Sequence, residues 1–203
     1  MLSVPARPQQ LRGLHTEASV TGRSPGRIVL VSGPPGAGKS TVAVRLAAMA
    51  EEPTVHLPTD SFYNWICAGY IPPYLPESER QNRVVLSVMI EAACAYSAGG
   101  YEVILDGVIG RWMLDLFDAA CRERGLDLSY VVLRPSLDVT LTRAVTREGD
   151  GELREADPIT ELHGAFSDLG EMARHVIDSS GQSADETAVA IKDGLKAGRF
   201  AMV

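Results

Sequence analysis

The sequence predicts an α/β protein in which helices cover both faces of a parallel sheet. Four observations about the sequence support this prediction. From residue 28 onward, short aliphatic runs alternate with longer amphipathic segments. A glycine-rich turn follows the first aliphatic run, and no apolar run approaches the roughly 20 residues that span a bilayer. With 45% hydrophobic and 22% charged residues, the 203-residue chain has the composition of a globular domain, which excludes a mainly disordered protein.

The first elements surround the glycine-rich turn. Residues 28–31 form a continuous β-branched and aliphatic run, as expected of a parallel strand that is buried on both faces. A helix is predicted over 39–49, where apolar residues recur at helical spacing, and a second strand over 54–57. The stretch 58–76 contains four prolines and five of the 12 aromatic residues, so it is predicted to be irregular.

Helices and strands continue to alternate after this stretch. A long helix over 77–98 is expected to end at a pair of glycines, and a polar loop is expected over 148–157. Strands are predicted over 103–106, 129–133 and 175–178, and helices over 111–124, 137–147, 159–172 and 183–197.

Charge and length predict one acidic domain behind a tail. Residues 1–24 are expected to be a flexible tail, and residues 25–203 a single domain. Residues 1–27 carry four arginines and one glutamate, whereas the whole chain has a net charge of −7. The acidic body disfavours long nucleic acid and anionic membranes as partners. The tail lacks a continuous apolar segment, so we expect a cytoplasmic protein; its oligomeric state is left open.

The histidines and cysteines are predicted to be structural. His56 and His175 fall in predicted strands and His163 in a helix, with no spacing typical of metal ligands. The cysteines form no CxxC pair and are expected to be buried free thiols of a reducing compartment. They are Cys67, Cys94 and Cys121.

The strongest motif is the segment 33–41, Gly-Pro-Pro-Gly-Ala-Gly-Lys-Ser-Thr, which matches G-x-x-x-x-G-K-[ST]. Its glycines allow backbone N–H groups to point at phosphate oxygens, and the following helix adds its positive N-terminus. Lys39 is predicted to bridge the β- and γ-phosphates of ATP, and the Ser40 hydroxyl to coordinate Mg²⁺. The predicted nucleotide-binding residues of the motif are Gly33, Gly36, Ala37, Gly38, Lys39, Ser40 and Thr41.

Two carboxylates follow predicted strands. Asp106 ends the third strand, where it can reach the metal directly or through water; the alternative is a helix cap or a strand-end turn. Asp60 follows the second strand, where it can accept a proton from a substrate hydroxyl. The competing role for Asp60 is to cap a helix that starts at Ser61, and both roles can hold together.

The aromatic residues after Asp60 allow two interpretations. Phe62 and Tyr63 are candidates for a hydrophobic wall that binds an organic substrate, because such pockets favour aromatic faces. Alternatively, the rings pack a proline-rich cap onto the core. Arg111, just after the third strand, either holds a substrate anion or is simply solvated.

Arginines flank the polar loop after the fourth strand. Arg143 and Arg147 lie four residues apart and share one helix face, and Arg154 lies in the loop itself. An arginine that a closing loop delivers can neutralise charge on a transferring phosphoryl group. Alternatively, these arginines form a solvated face with Glu148 and Glu155.

Together, the motif at 33–41, the two strand-end aspartates and the arginine-bearing loop resemble the small P-loop kinases. This group includes adenylate, shikimate and gluconate kinases and chloramphenicol phosphotransferase, and the similarity covers about residues 27–200. It implies a P-loop NTPase fold with five parallel strands in the order 2-3-1-4-5, a small lid at 147–157 and a substrate-side segment at 58–98.

The same resemblance implies roles for individual residues. It makes Asp60 the catalytic base, Arg143 the partner of the adenine, and Arg147 or Arg154 the lid arginine over the phosphates. The chain departs from nucleotide kinases between Asp106 and Arg111, where it lacks their proline and has a longer spacing, which disfavours a nucleoside monophosphate acceptor. The absence of Asn-Lys-x-Asp disfavours a GTPase.

These observations predict an enzyme that uses ATP and Mg²⁺ to phosphorylate a hydroxyl of a small metabolite or antibiotic-like molecule. The first alternative is a kinase of nucleotides or nucleic-acid ends, which requires a basic acceptor cleft. The second is an ATP-binding regulatory module without a transfer reaction, in which ATP orders the lid to recruit a protein. The sequence does not identify the acceptor, because pocket shape rather than motif decides it.

Overall fold

The structure is a computed structural model that describes residues 23–145 and 155–202. Of Trp112 it describes only the backbone. Almost all of the predicted tail at 1–24 and most of the predicted lid at 147–157 lie outside the described residues. Arg147, Glu148 and Arg154 lie outside them as well.

Five parallel strands form the sheet in the order β2-β3-β1-β4-β5, as the resemblance implied. The central strand β1 pairs with β3 on one side and with β4 on the other. All five strands lie within two residues of their predicted positions. Their bounds are Ile28–Ser32 for β1, Thr54–Pro58 for β2, Glu102–Asp106 for β3, Leu128–Leu133 for β4 and Val176–Ile177 for β5.

Seven α-helices and two short 3₁₀ turns are described around the sheet. The turns span Pro76–Ser78 and Gly170–His175. The helices are α1 Lys39–Ala48, α2 Thr59–Asn64, α3 Glu79–Ala98, α4 Arg111–Arg124, α5 Leu137–Val145, α6 Ala156–Ala165 and α7 Ala184–Lys196.

Two of the predicted element boundaries are wrong. Helix α2 lies inside the stretch 58–76 that was predicted to be irregular, because the prolines flank its six residues without interrupting them. Pro58 serves as its N-cap residue, where a missing N–H costs nothing. Helix α6 ends at Ala165 rather than at 172, and a 3₁₀ turn over Gly170–His175 leads into β5.

The sheet separates two hydrophobic cores, so helices cover both of its faces as predicted. Ile28 and Leu30 of β1 point into the core that α3 and α4 cover, whereas Val29 and Val31 point into the core under α1 and α7. All four side chains are fully buried. This burial on both faces explains why the sequence of β1 is continuously apolar rather than alternating.

The cysteines are free, but only two of them are buried. Cys94 of α3 and Cys121 of α4 lie in the core, as predicted, whereas Cys67 is exposed in the loop after α2. No helix within the described residues has the length and apolar character needed to cross a membrane.

Candidate active site

Strand register brings the sequence-predicted site residues to one edge of the sheet. Asp106, the last residue of β3, lies opposite Val31 of β1 on one side and Pro58 of β2 on the other. The segment 33–41 begins just after β1 ends, and Asp60 follows Pro58 by two residues. The phosphate-binding motif and both aspartates therefore lie at the carboxyl edge, where open α/β sheets bind their ligands.

The glycine-rich segment adopts a backbone that depends on its glycines. Gly33, Gly36 and Gly38 have positive φ angles of 143°, 84° and 87°, which side chains with a Cβ atom rarely adopt. A Cβ atom on Gly36 would lie 2.5 Å from the backbone oxygen of Thr140, so this turn also packs closely against α5. The motif therefore forms a tight loop ahead of α1.

Lys39 is the first residue of α1, and its side chain turns back toward the loop. It is 6% exposed, and its Nζ atom donates a hydrogen bond to the backbone oxygen of Pro34 at 2.9 Å. A buried ammonium group beside a glycine-rich loop at the N-terminus of a helix is a favourable environment for a phosphate chain.

A hydrogen-bonded chain joins the loop to the end of β3. The Ser40 hydroxyl donates to Oδ2 of Asp106 at 2.6 Å, and Nε2 of His56 lies 2.6 Å from the other carboxylate oxygen, Oδ1. Asp106 is 3% exposed, so the chain also satisfies a buried carboxylate. Three residues from three separate elements therefore meet at this point.

The donor set formed by Ser40 and Asp106 fits Mg²⁺. Mg²⁺ prefers oxygen ligands, and in phosphate-transferring sites it takes one or two of them from the protein and the rest from phosphates and water. The described residues contain no cluster of three or more His, Cys, Asp or Glu side chains that could hold a metal ion by itself. A hydroxyl and a carboxylate 2.6 Å apart match the smaller contribution that Mg²⁺ requires.

His56 is the residue that the sequence interpretation missed. It was predicted to pack within a strand, and it does lie on β2, opposite Ile104 of β3. Because Asp106 is two residues beyond Ile104, its side chain shares a face of the sheet with that of His56. The signal that could have identified His56 is this register, which no local pattern contains.

Polar groups also gather on the opposite side of the glycine-rich loop. Arg143 of α5 donates from Nη2 to the backbone oxygen of Ser179, at the end of β5, over 3.3 Å. Three buried side-chain atoms here have no hydrogen-bond partner among the described residues: Nε of Arg134, Oγ1 of Thr140 and Oγ of Ser179. Unpaired buried polar atoms are rare, and they suit a site that receives a polar ligand.

The second predicted carboxylate, Asp60, lies at the start of α2. It is exposed in the first turn of α2, whose N-cap is Pro58, so Asp60 does not cap a helix that starts at Ser61. Burial, and after it the negative charge of Asp60, raises the pKa of Tyr63 to about 12. Burial and the same charge also raise the pKa of Tyr70. Both phenols thus lie within electrostatic reach of Asp60.

The aromatic residues divide between the two predicted roles. Phe62 is 5% exposed and lies in the core, as the packing interpretation expected. Tyr63 is half-buried against the same core. Trp65, Tyr70 and Tyr74 are 65%, 49% and 61% exposed, so their rings remain available to a ligand.

The exposed rings belong to a loop that the start of α3 holds in place. We call residues 65–75 the acceptor-side loop. Gln81 accepts a hydrogen bond from the backbone N–H of Ile71 at 2.9 Å and donates another to its oxygen at 2.6 Å. Asn82 and Ser78 each donate to the backbone oxygen of Pro73. No residue from 61 to 76 carries a charged side chain, so this loop is apolar and uncharged.

Arg111, which the sequence analysis also singled out, is the first residue of α4. It is exposed and follows Asp106 by five residues. The structure brings it near the sheet edge through the segment 107–110, and its role toward a ligand stays a prediction. Gly107 in this segment packs directly against Thr59, since a Cβ atom on Gly107 would lie 2.1 Å from the Thr59 hydroxyl oxygen.

The sequence profile of one protein family matches the chain over residues 26–196, and the description of that family is "Chloramphenicol phosphotransferase-like protein". The match spans most of the chain. The chain belongs to the chloramphenicol phosphotransferase-like family. A search of curated proteins finds no match.

Solved structures agree with this family at the level of the fold. APS kinase CysC from Mycobacterium tuberculosis, solved with AMPPNP and APS, has a TM-score of 0.66 at 20% identity, over 85% of this chain and 99% of that one. The tunicamycin resistance protein of Deinococcus radiodurans has a TM-score of 0.60 at 18% identity, over 88% and 99% of the two chains. Shikimate kinase from Acinetobacter baumannii, in complex with shikimate, has a TM-score of 0.60 at 20% identity, over 85% and 94%. This member of the chloramphenicol phosphotransferase-like family therefore has the fold of the P-loop kinases.

Proposed function

We propose that the protein is an ATP-dependent phosphotransferase that moves the γ-phosphate of ATP to a hydroxyl of a small acceptor. The observation that carries this proposal is the 2.6 Å hydrogen bond between Ser40 and Asp106 beside the buried Lys39. It joins a phosphate-binding loop to a strand-end carboxylate at the edge where Asp60 also lies. Membership of a phosphotransferase-like family supports the same reaction class.

The nucleotide is bound by the segment 33–41 in this proposal. Backbone N–H groups of the loop and the N-terminus of α1 hold the phosphates, and Lys39 moves its hydrogen bond from Pro34 to phosphate oxygens. Ser40 and Asp106 hold Mg²⁺, which when bound neutralises charge on the phosphate oxygens. The unpaired atoms of Thr140 and Ser179 lie on the side where Arg143 would contact the base.

Transfer then takes place beside Asp60. The Asp60 carboxylate accepts the proton of the acceptor hydroxyl while that oxygen attacks the γ-phosphorus. The bond from the γ-phosphorus to the bridging oxygen breaks, and ADP leaves with the electron pair. The positively charged Lys39 stabilises the charge that spreads over the transferring phosphoryl oxygens. Arg147, outside the described residues, is proposed to assist it.

The acceptor-side loop indicates the chemistry of the acceptor. Its exposed rings and its lack of charged residues favour an uncharged or amphipathic molecule over a highly phosphorylated one. The name of the family refers to an antibiotic phosphotransferase, and one structural neighbour is a tunicamycin resistance protein. Both names agree with a neutral, antibiotic-like acceptor, and the acidic chain disfavours long nucleic acid.

The test is to measure ATP consumption by the purified protein with and without a panel of neutral hydroxylated compounds, including antibiotics. We expect ADP to form at a rate that rises with one class of acceptor, with the phosphate recovered on that acceptor. Consumption that requires 5′-hydroxyl nucleic-acid ends and falls steeply with salt would support the alternative kinase instead. ATP binding without any consumption across the panel would support a regulatory module.

A further inference from the structure

His56 contacts the carboxylate that the proposed reaction assigns to the metal. Its Nε2 atom lies 2.6 Å from Oδ1 of Asp106, and the side chains of His56 and Asp106 are 19% and 3% exposed. The contact joins β2 to β3 on the face of the sheet that α1 covers. Water has little access to it, so the hydrogen bond is not easily replaced by solvent.

The direction of this hydrogen bond follows from its chemistry. An ionised carboxylate has only acceptor sites, so Nε2 of His56 is the donor. The Ser40 hydroxyl donates to the other oxygen of Asp106 at 2.6 Å. A carboxylate that is held at both oxygens cannot rotate about its bond to Cβ, and its plane is therefore set by two neighbours on different elements.

We propose that His56 is a positioning residue that orients Asp106, and through it Ser40, for Mg²⁺ in the nucleotide complex. This inference rests on the proposed function. The Ser40 hydroxyl uses its hydrogen toward Asp106, which leaves its oxygen lone pairs for the metal. Asp106 uses one acceptor site on each oxygen and keeps the others for the metal or for a metal-bound water. Without His56, the carboxylate is free to turn away from Ser40.

A simpler role for His56 would be to satisfy a buried carboxylate and stabilise the fold. The two roles differ in what a substitution of His56 changes. If His56 is purely structural, the substitution lowers the free energy of unfolding without changing the Mg²⁺ dependence of nucleotide binding in the folded protein. If His56 positions Asp106, the substitution weakens the response of nucleotide binding to Mg²⁺ and leaves metal-free nucleotide binding intact.

The experiment measures binding of methylanthraniloyl-ATP by fluorescence while Mg²⁺ is titrated, and again in EDTA. His56→Phe removes the donor and keeps a planar ring, whereas His56→Gln retains an N–H donor at the end of its side chain. Thr54→Val is the matched control, because Thr54 lies on the same face of the same strand and, within the described residues, its side chain hydrogen-bonds only to the backbone oxygen of Glu52. Thermal unfolding of each variant checks that it is folded.

We expect His56→Phe to weaken the apparent affinity for Mg²⁺ about tenfold, as loss of an outer partner of a metal ligand does. His56→Gln should retain most of the wild-type affinity for Mg²⁺, and Thr54→Val all of it, while binding in EDTA stays the same in all four proteins. His56→Ala replaces His56→Phe if the larger side chain prevents folding.

Two results overturn the inference while leaving the proposed function intact. One is a wild-type response to Mg²⁺ in His56→Phe, and the other is an equal loss in His56→Gln and His56→Phe. A wild-type protein whose nucleotide binding does not respond to Mg²⁺ at all contradicts the Ser40–Asp106 metal site itself, and the inference fails with it.

Discussion

Ser40 and Asp106 are separated by 66 positions in the sequence, yet their side-chain oxygens lie 2.6 Å apart. The contact connects the first turn of α1 to the last residue of β3. The glycine-rich loop and the end of β3 are therefore in direct contact at the carboxyl edge of the sheet. The predictions below test the separate parts of this candidate site.

The first prediction concerns the catalytic base. Asp60→Asn keeps the size of the side chain but removes its ability to accept the proton of the acceptor hydroxyl. We expect kcat for phosphate transfer to fall at least about 100-fold, since general bases contribute this much or more. The KM for ATP should change little, because the phosphates are bound by the segment 33–41.

Asp127→Asn provides the control for Asp60. Asp127 is also exposed, but it precedes β4 at the opposite edge of the sheet. The Asp127→Asn substitution should leave kcat for phosphate transfer unchanged. Turnover near the wild-type level in Asp60→Asn would contradict the role of Asp60 as the base.

The second prediction concerns the tight packing of the glycine-rich loop. Gly36→Ala places a Cβ atom 2.5 Å from the backbone oxygen of Thr140 at a φ of 84°. Gly69→Ala has a similar φ of 74° but no atom within 4 Å, so it introduces only the backbone strain, about 1–2 kcal/mol. We expect Gly36→Ala to lose more unfolding free energy in urea and to weaken nucleotide binding, whereas Gly69→Ala binds normally. Equal effects of the two substitutions on stability and binding would show that the close packing against α5 is unimportant.

The third prediction concerns the acceptor-side loop. Tyr70→Ala removes an exposed ring within electrostatic reach of Asp60. In this variant we expect the KM for the acceptor that the panel identifies to rise about tenfold, equivalent to about 1.4 kcal/mol. The KM for ATP should be unchanged. Tyr101→Ala is the control, because Tyr101 is 42% exposed and lies just before β3, at the far edge of the sheet. An acceptor KM that responds equally to both substitutions would refute a specific role for the loop.

The fourth prediction uses the pKa of Tyr63, which burial and the charge of Asp60 raise to about 12. In the unfolded chain the phenol ionises near pH 10, so its contribution to stability is complete below pH 10 and is lost as the pH rises toward 12. The free energy of unfolding of the wild type should therefore decline more between pH 10 and 12 than that of Tyr63→Phe. Tyr101→Phe retains the Tyr63 phenol and should keep the wild-type decline, whereas parallel curves for wild type and Tyr63→Phe would contradict the prediction.

Local pattern was sufficient for most of the architecture. The strands were placed within two residues, because short runs rich in β-branched and aliphatic residues alternate with turn residues and with longer amphipathic segments. The motif at 33–41 predicted the turn between β1 and α1, since glycines are needed where φ is positive. Helix α2 was considered only as a helix that starts at Ser61 within an irregular stretch, because its six residues are too few to show helical periodicity and its flanking prolines suggested irregular structure.

The sequence by itself therefore determined which segments form strands and helices, where the glycine-rich loop before α1 lies, and which two aspartates lie at the carboxyl ends of strands. Only the tertiary structure decided that Asp106 contacts both Ser40 and His56, that Phe62 lies in the core, and that Trp65 and Tyr70 stay exposed. Local patterns arise from contacts between residues near in sequence, whereas these outcomes depend on strand register and on how a loop packs against a distant helix. A shift of one residue in register would turn His56 to the other face of the sheet, and nothing within β2 alone sets that register.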